Sequence, residues 1–309
     1  MKKFLIKRFV TALIVMWGVS TLVFLLIHLV PGDPVQAMLG ESALQTDIDN
    51  LRERLGLNEP LLIQYKNYFL DLLKGDFGTS IVSGRKVTKE ILSRFPATLE
   101  LAVASILIAV LISFPLGLLS ALKKDSAWDV LATAVSTLGL AIPNFWLGPL
   151  LIILFSIKLS IFPVSGRGTI AHLVLPAITL GTALSALLTR IVKTSVAEEL
   201  KEDYVRVALA KGFTKRRVLL KHVFRNALIP IITILALQIG SLLTGAIITE
   251  TIFSWPGIGR LIIRAINQRD YPLVQGIILF IAFIYIITNF LADIFYAVID
   301  PRIRYETKY

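Results

Sequence analysis

The chain contains no cysteine and few charged residues. None of its 309 residues is Cys, which excludes disulfides, thiolate nucleophiles and thiolate metal ligands. Charged side chains make up 17% of the chain, against about 25% in soluble domains, whereas 55% of the residues are hydrophobic. This composition predicts a membrane protein rather than a soluble one.

Motifs for catalysis and for nucleotide binding are also missing. The sequence has no G-x-x-x-x-G-K-[ST] loop to cradle phosphates, so if ATP drives this protein, other subunits bind the ATP and its Mg²⁺. The three histidines, His28, His172 and His222, are scattered, and no H-E-x-x-H pair predicts a metal site. The sequence also lacks a G-x-S-x-G turn and a pair of intramembrane carboxylates. We therefore expect no enzyme activity, no cofactor and no metal in this chain.

Long apolar runs are what the sequence has in abundance. A helix needs about 20 apolar residues to cross a hydrocarbon core of roughly 30 Å. The first apolar run is too long for an ordinary signal peptide and is not followed by a small-residue cleavage pattern. We predict an all-α polytopic membrane protein with six transmembrane helices. The six runs are 9–30, 98–122, 130–157, 173–192, 228–253 and 273–299.

The distribution of positive charge predicts the orientation. The net charge is +11, but in a membrane protein the placement of Lys and Arg among the loops says more than their total, and we expect no nucleic acid partner. Six spans place both termini on one side, and 19 of the 32 basic residues fall on that side. Because short basic loops stay in the cytoplasm, both termini are predicted to be cytoplasmic. The protein is predicted to be a multi-pass protein of the inner (cytoplasmic) membrane.

The chain is predicted to divide into three parts. Residues 1–97 would form the first transmembrane helix and an extracytoplasmic insert, residues 98–299 the remaining transmembrane domain, and residues 300–309 a cytoplasmic tail. The insert lies between the first two apolar runs and is long enough to fold as a unit of its own.

Within the insert, turn and capping signals predict ordered helices. Apolar residues at helical spacing predict a helix over 44–55, with Thr46 opening a capping box and Gly56 ending the helix. A second helix would run from Pro60 to Gly75. A turn at "GDFGTS" and a short amphipathic helix at "KVTKEILSRF" would then lead into the second span.

Breakers and charges inside the spans leave alternatives open. Pro115 and Gly117 in the second run, and "AIPNFWLGP" in the third, are compatible with a translocation path or with simple packing, because Gly and Pro are common in membrane helices. Asp293 in the last run is costly in lipid unless it is paired, and we predict a structural pair with Arg190. Glu250 would meet a substrate amine or reach the membrane interface, and we favour the interface.

A basic, alanine-rich segment separates the fourth and fifth runs. In "YVRVALAKGFTKRRVLLKHVFRNALIP" a short helix is predicted to end at Gly212, and Thr214 is predicted to cap a second one. The simplest interpretation is a juxtamembrane polybasic segment that rests on anionic lipid headgroups. Small side chains next to a glycine favour the alternative, in which the surface of another protein approaches closely.

At these residues the sequence resembles the membrane subunits of binding-protein-dependent ABC importers, specifically the B-type subunit of the dipeptide/oligopeptide permease family. In that family a cytoplasmic loop ends in a glycine-centred pair of helices that dock into a cleft on the ATPase. Here "YVRVALAKG" stands in its place, with Arg206 and Val207 where the general pattern has glutamate and alanine, and with Ala208 and Gly212 matching. The resemblance continues through "PGDP", "LGLNEPLLIQY", "GDFGTS", "LPAITLG", "FSWPGIGRL", "RDYPLVQG" and "DPRIRY".

The resemblance implies a type I ABC importer transmembrane domain that works by alternating access. Its implied partners are a second homologous permease, two ATP-binding subunits, an extracytoplasmic solute-binding protein and membrane lipid. The insert would contact the binding protein or be a solvated connector, and "WPGIGRLIIRAIN" predicts a short helix at the outer mouth. The coupling segment would be 197–227. The residues implied to couple to the ATPase are Tyr204, Arg206, Ala208, Ala210, Gly212 and Thr214.

Dipeptides or oligopeptides are the implied cargo, although relatives of the family also import nickel, glutathione, opines or oligosaccharides. Two other classes of protein stay open. An ion-coupled secondary transporter predicts an inverted repeat and ion sites that the sequence lacks. A polytopic receptor or scaffold would use the basic segment to recruit partners without transport. A co-purifying ATPase would separate both from an importer.

Overall fold

Helices account for nearly all of the secondary structure. The computed structural model describes residues 2–29, 33–40 and 43–299, and these ranges contain no β-strand. The predicted all-α architecture is confirmed, while the predicted tail, 300–309, lies outside the described residues. Two π-helical segments, Ile152–Lys158 and Leu219–Val223, occur within the chain. The α-helices of the described ranges are α1 Lys2–His28, α2 Pro34–Leu39, α3 Gln45–Arg54, α4 Leu61–Leu73, α5 Val87–Leu122, α6 Ala127–Ala141, α7 Asn144–Leu151, α8 Ile170–Glu199, α9 Asp203–Ala210, α10 Lys215–Val218, α11 Phe224–Gly245, α12 Ile247–Ile252, α13 Ile258–Asn267 and α14 Tyr271–Ile299.

Five helical stretches of the described chain are long and apolar enough to cross a membrane. They are found in α1, α5, α8, α14 and the stretch Lys215–Gly240, which joins α10 to α11. A sixth crossing follows if α6 and the helix after it count as one span, although the two are bent by 104°. The predicted run 130–157 is therefore a bent pair rather than one straight helix. Pro143 causes the bend, because it lacks a backbone donor and holds Ile142 extended.

The bundle is built around α5 and α8, which pack against each other. Small residues allow this close approach. A methyl group at Gly117 would lie 2.7 Å from Cβ of Val192, and one at Gly181 would lie 2.9 Å from the carbonyl oxygen of Ser105. The Ser105 hydroxyl donates to the carbonyl of Leu101 at 2.7 Å, so this buried donor is satisfied within its own helix. Gly117 therefore serves helix packing, one of the two interpretations that the sequence left open.

The spans run alternately between two ends of the bundle. At one end, Arg167 in the loop before α8 donates from Nε to the carboxylate of Glu100 in the first half of α5, at 2.8 Å. At the other end, the start of α1 meets the end of α14 through an ion pair of Arg8 with Asp293. We call the first end the insert side, because α2, α3 and α4 precede α5 there. We call the second end the α9 side.

The predicted pair between Asp293 and Arg190 is wrong. Asp293 forms an ion pair with Nε of Arg8 at 3.2 Å, and the Arg190 guanidinium donates to the hydroxyl of Thr137 at 3.3 Å. The reason is helix packing, since α14 lies against α1 while α8 lies against α6. A similar depth in the membrane did not make the two side chains neighbours.

The insert is a small helical unit with an apolar core of its own. Val35 of α2 is buried together with Ile48 and Leu51 of α3. Asp33 accepts from the backbone N–H of Val35 at 3.0 Å and thereby caps α2, whose first residue is Pro34, a favoured first-turn residue. The "DP" of the "PGDP" motif is therefore a helix start.

The predicted helix boundaries of the insert are largely confirmed. Gly56, with φ +67°, follows the end of α3, and Pro60 immediately precedes α4. The capping box at Thr46 is wrong, because α3 begins at Gln45 and has Leu44 as its N-cap, with no side-chain capping bond.

α4 holds the insert against the first span. The hydroxyls of Thr21 and Tyr65 lie 2.8 Å apart, and Nε2 of His28 lies 3.0 Å from Oε1 of Gln64. The Phe24 ring packs edge-on against Tyr65, with centroids 5.2 Å apart. Polar and aromatic contacts thus attach the insert to the bundle, in addition to its chain connections.

α5 is one helix from Val87 to Leu122, with Pro96 and Pro115 inside it. The predicted short helix at "KVTKEILSRF" therefore continues into the second span without interruption. The predicted division between residues 97 and 98 falls inside this helix.

We expect Gly117→Ala to destabilise the bundle. The added methyl group would overlap Val192 and the backbone oxygen of Thr189, and overpacking of this kind costs about 1–3 kcal/mol. The measurement is the thermal unfolding midpoint of the detergent-purified chain, which should fall. Gly18→Ala in α1 is the matched control, since nothing lies within 4 Å of its added methyl group, and its midpoint should not fall. Equal midpoints for the two variants would contradict this account of the α5 and α8 contact.

Candidate functional site

The basic segment after α8 makes a tight turn on a glycine. Gly212 adopts φ +83°, a left-handed conformation that costs other residues roughly 1–2 kcal/mol. The N–H of Phe213 returns to the carbonyl of Ala208 at 3.3 Å, and the Thr214 hydroxyl accepts from the N–H of Arg217 at 3.4 Å. The structure confirms the predicted helix end at Gly212 and the predicted N-cap at Thr214.

The second helix of this segment is longer than predicted. α10 does not end as a separate short helix but passes through the π-helical segment into α11, so that Lys215–Gly240 is one helical stretch. Pro230 lies inside α11 without ending it. α10 is therefore continuous with a span.

The inner face of α9 packs onto the bundle. Val205 and Ala208 are buried in the same apolar cluster as Leu188, Val192 and Val223. The small side chain of Ala208 thus allows α9 to approach its own bundle. The interpretation that Ala208 lets another protein approach needs correction, because neighbours in the same chain cover it.

The outer face of α9 and of the glycine turn is exposed and partly apolar. Val207 is 52% exposed and Phe213 is 36% exposed, and Ala210 is exposed as well. Arg206 lies 3.6 Å from Asp203 in an exposed ion pair, a kind of pair that contributes little to stability. We call Arg206, Val207, Ala210 and Phe213 the α9 surface. Exposed apolar side chains next to charges are typical of protein contact sites.

A hydrogen-bonded tyrosine joins α9 to two neighbouring helices. The Tyr204 hydroxyl donates to the Glu199 carboxylate at the end of α8, and the side-chain amide of Asn226 in α11 donates to the same carboxylate at 3.4 Å. Burial, followed by the hydrogen bond to Glu199, raises the pKa of Tyr204 to about 12, so the phenol keeps its proton and stays a donor. A movement of α9 therefore disturbs both α8 and α11.

On the insert side, a buried carboxylate organises the loop before α13. Glu250 in α12 is fully buried. It accepts from the hydroxyl of Thr98 on α5 at 2.7 Å and from the backbone N–H of Arg260 at 3.0 Å. The second bond satisfies one of the free donors at the start of α13. The prediction that Glu250 reaches the membrane interface is wrong, because these donors enclose it inside the protein.

The same loop is fastened to α5 by a tryptophan. Nε1–H of Trp255 donates to the carbonyl of Ala97 at 2.7 Å, and Trp255 is fully buried. Gly257 passes so close to the Glu250 carboxylate that an added methyl group would overlap it. The "FSWPGIGRL" motif is therefore the set of residues that seals the end of α12 against α5.

A second buried carboxylate ties the insert to the last span. Asp270 is 1% exposed and accepts from the Ser80 hydroxyl and from the backbone N–H of Ile81, the latter at 3.2 Å. It also caps α14, because the N–H of Leu273 donates to it at 3.3 Å. The motifs "GDFGTS" and "RDYPLVQG" are far apart in the chain but form one structural unit.

Two family models together match most of the chain. The model described as "Binding-protein-dependent transport system inner membrane component" matches residues 113–305, more than half of the chain. The chain belongs to this family. A second model, "Binding-prot-dependent transport system membrane comp, N-term", matches residues 1–102. The predicted family is confirmed, and with it a multi-pass location in the inner membrane.

Two relatives match this chain over almost its whole length. The dipeptide transport system permease protein DppB of Escherichia coli K12 is 39% identical over 338 residues, covering 99% of this chain and 100% of its own. The glutathione transport system permease protein GsiC of Salmonella typhimurium LT2 is 40% identical over 306 residues, with the same coverage.

A solved transporter structure shares the fold of this inner membrane component. The inward-facing MetNI methionine ABC transporter superposes with a TM-score of 0.58 at 13% identity, covering 69% of this chain and 97% of that chain. At this identity the likeness concerns the fold alone, which is that of a type I ABC importer transmembrane domain, as predicted.

Sequence reasoning found the glycine turn of this chain, missed Asp270 and misplaced Glu250. Asp270 precedes Pro272, a pattern typical of a helix start, and that signal could have found it. Glu250 has no local signal, because its partner Thr98 comes from another helix. Within the described part of the chain, no group of three or more His, Asp or Glu side chains is placed to hold a metal ion.

We expect Glu250→Gln to lower the stability of the insert side of the bundle. An amide has a single acceptor oxygen, so the Thr98 hydroxyl or the N–H of Arg260 would lose its partner, at a cost of about 1–3 kcal/mol. The thermal unfolding midpoint of the purified chain should fall. The control is Glu100→Gln, which removes a half-exposed pair with Arg167 and should cost no more than about 1 kcal/mol. A smaller effect at Glu250 than at Glu100 would contradict the capping role.

Proposed function

We propose that this chain is a transmembrane permease subunit of an ATP-driven importer, which moves dipeptides or oligopeptides across the inner membrane by alternating access. The observation that carries the proposal is its similarity to a dipeptide permease over 99% of the chain. The fold is compatible with this role, because an exposed surface at one end and an ordered insert at the other leave room for partners on both sides.

The proposed assembly contains a second homologous permease, two ATP-binding subunits and an extracytoplasmic solute-binding protein. ATP and Mg²⁺ would be bound by the ATP-binding subunits. We place the α9 side in the cytoplasm, since 19 of the 32 basic residues belong to it. The insert would then face the binding protein, and both termini would be cytoplasmic. We keep 1–97, 98–299 and 300–309 as the proposed division of the chain.

The α9 surface is the proposed contact with an ATP-binding subunit. Within 197–227 it combines exposure with apolar character, and the turn at Gly212 and Thr214 shapes it. Tyr204 joins α9 to α8 and α11, so a displacement of α9 would pass to two spans. A ligand shifts a two-state equilibrium only through its different affinity for the two states. The contact must therefore differ between the ATP-closed and the open assembly.

The same architecture would serve other cargo. Glutathione has a specific observation in its favour, because the chain is as similar to a glutathione permease as to a dipeptide permease. Nickel, opines and oligosaccharides are further alternatives. Uptake of labelled dipeptide, glutathione and Ni²⁺ by the same reconstituted importer would separate them.

An ion-coupled secondary transporter and a receptor or scaffold are the alternatives from other classes. Purification of the tagged chain from its native membrane in mild detergent, followed by mass spectrometry of the bound proteins, separates these from an importer. A second permease and ATPases with Walker motifs are the expected partners. A lone chain or a homodimer in several detergents would overturn the proposal.

We expect Val207→Glu to uncouple the permease from its ATPase. The substitution places a charge in the exposed apolar part of the α9 surface, where docking would bury it. Co-purified ATPase, or ATP hydrolysis stimulated by the binding protein, should fall at least about tenfold, which corresponds to about 1.4 kcal/mol of lost contact.

The matched control is Lys124→Gln, which also lowers the net charge by one and lies exposed in the loop between α5 and α6 on the same side. It should bind and stimulate the ATPase as the wild type does. Wild-type coupling in the Val207 variant would show that the α9 surface is not the contact.

A further inference from the structure

Three arginines line a small cavity on the insert side. The cavity has a volume of about 150 Å³ and lies between the start of α5 and α13. Two helices distant in the chain supply the guanidinium groups, so only the fold brings them together. The lining residues are Arg94, Pro256, Gly257, Arg260, Leu261 and Arg264.

The three arginines bring like charges together at this cavity, although Arg260 and Arg264 are exposed to solvent. Arg260 and Arg264 are four residues apart on α13, a spacing at which like charges repel each other, and Arg94 adds a third positive charge. The Arg260 guanidinium donates to the carbonyl of Ser254 at 2.8 Å. Within the described part of the chain, Arg94 and Arg264 have no hydrogen-bond or ion-pair partner.

The neighbouring carboxylates are engaged elsewhere. Glu250 lies directly behind Gly257, but its oxygens accept from the Thr98 hydroxyl and from the backbone N–H of Arg260. Glu90, one turn before Arg94 on α5, pairs with Arg85 at 3.8 Å. Neither carboxylate forms an ion pair with the three arginines, and positive charges that converge without such a pair are a local inconsistency of the kind expected at a functional site.

We propose that this cavity, which we call the arginine pocket, binds the C-terminal carboxylate of the transported peptide. The proposal rests on the proposed function and names the part of the substrate that this chain recognises. The planar guanidinium presents donors that match a carboxylate in a bidentate manner, and all three basic residues of the pocket are arginine. A volume of about 150 Å³ accommodates a carboxylate with its adjoining backbone atoms rather than a folded segment of another protein.

A C-terminal carboxylate suits an importer that tolerates many peptides. Every linear peptide carries this group, whatever its side chains are. The floor of the pocket is held in place, because Glu250 and Trp255 fasten the loop around Gly257 to α5. The Arg260 guanidinium is itself held by its bond to the Ser254 carbonyl, and a donor that is already fixed binds an anion with a smaller loss of conformational freedom.

The test uses the complete importer in proteoliposomes, together with its binding protein. Radiolabelled dialanine is supplied as the free acid and as the C-terminal amide, each at a concentration that saturates the binding protein. We expect Arg260→Gln combined with Arg264→Gln to lower the amount of free acid transported per ATP about tenfold, and to leave the less efficient transport of the amide unchanged. Lysine at both positions should recover part of the lost transport, because lysine keeps the charge but lacks the planar guanidinium that binds a carboxylate with two hydrogen bonds.

The control is Lys89→Gln, which removes one positive charge from an exposed position of α5 outside the pocket and so matches the single Arg94→Gln variant. It should transport both substrates as the wild type does. If the double glutamine variant does not assemble, the lysine variant and Arg94→Gln carry the comparison, with the same loss confined to the free acid.

Three outcomes would overturn the proposal. The first is an unchanged transport of the free acid, and the second is an equal loss for acid and amide. The third is a higher binding-protein concentration for half-maximal ATPase stimulation with unchanged transport per ATP, which would make the pocket a docking site for acidic residues of the binding protein. A wild-type importer that moves neither peptide would instead refute the proposed function itself.

Discussion

In a membrane, every backbone N–H and C=O must find a partner inside the protein, and the breaks in the helices at the two ends of this bundle are closed by bonds within the protein. On the insert side, the break between α12 and α13 is closed by Glu250, which accepts from the Thr98 hydroxyl and from the N–H of Arg260. On the α9 side, the turn at Gly212 is closed by bonds within the turn and by the Thr214 cap.

The two ends of the bundle expose different kinds of side chain. The α9 surface exposes apolar and small side chains on a fixed turn, which suits the surface of another protein. The arginine pocket exposes guanidinium groups above a sealed loop, which suits a small anion. The two ends are joined by α8 and by α11, which Tyr204 connects to α9 through Glu199 and Asn226. The proposed partner at one end and the proposed substrate at the other would be connected through these helices.

Local features of the sequence were predicted well, because their causes lie within a few residues. The length of an apolar run predicts a span, and Gly212 predicts a helix end because glycine tolerates a positive φ. The one bent pair also had its signal in the sequence, since Pro143 interrupts the third run. The capping box at Thr46 was a local error, but the errors at charged residues concern partners. The depth of Asp293 suggested a pair with Arg190, but depth does not determine which helices are neighbours.

The sequence by itself determined the class of protein, the apolar runs, the turn at Gly212 and the family, since each depends on composition or on residues close together in the chain. Only the tertiary structure decided that Asp293 pairs with Arg8 and that Glu250 is enclosed by α5 and α13. It also decided that Asp270 holds the insert and that arginines of α5 and α13 converge. The physical reason is that each of these contacts joins segments far apart in the chain, and their meeting depends on how whole helices pack.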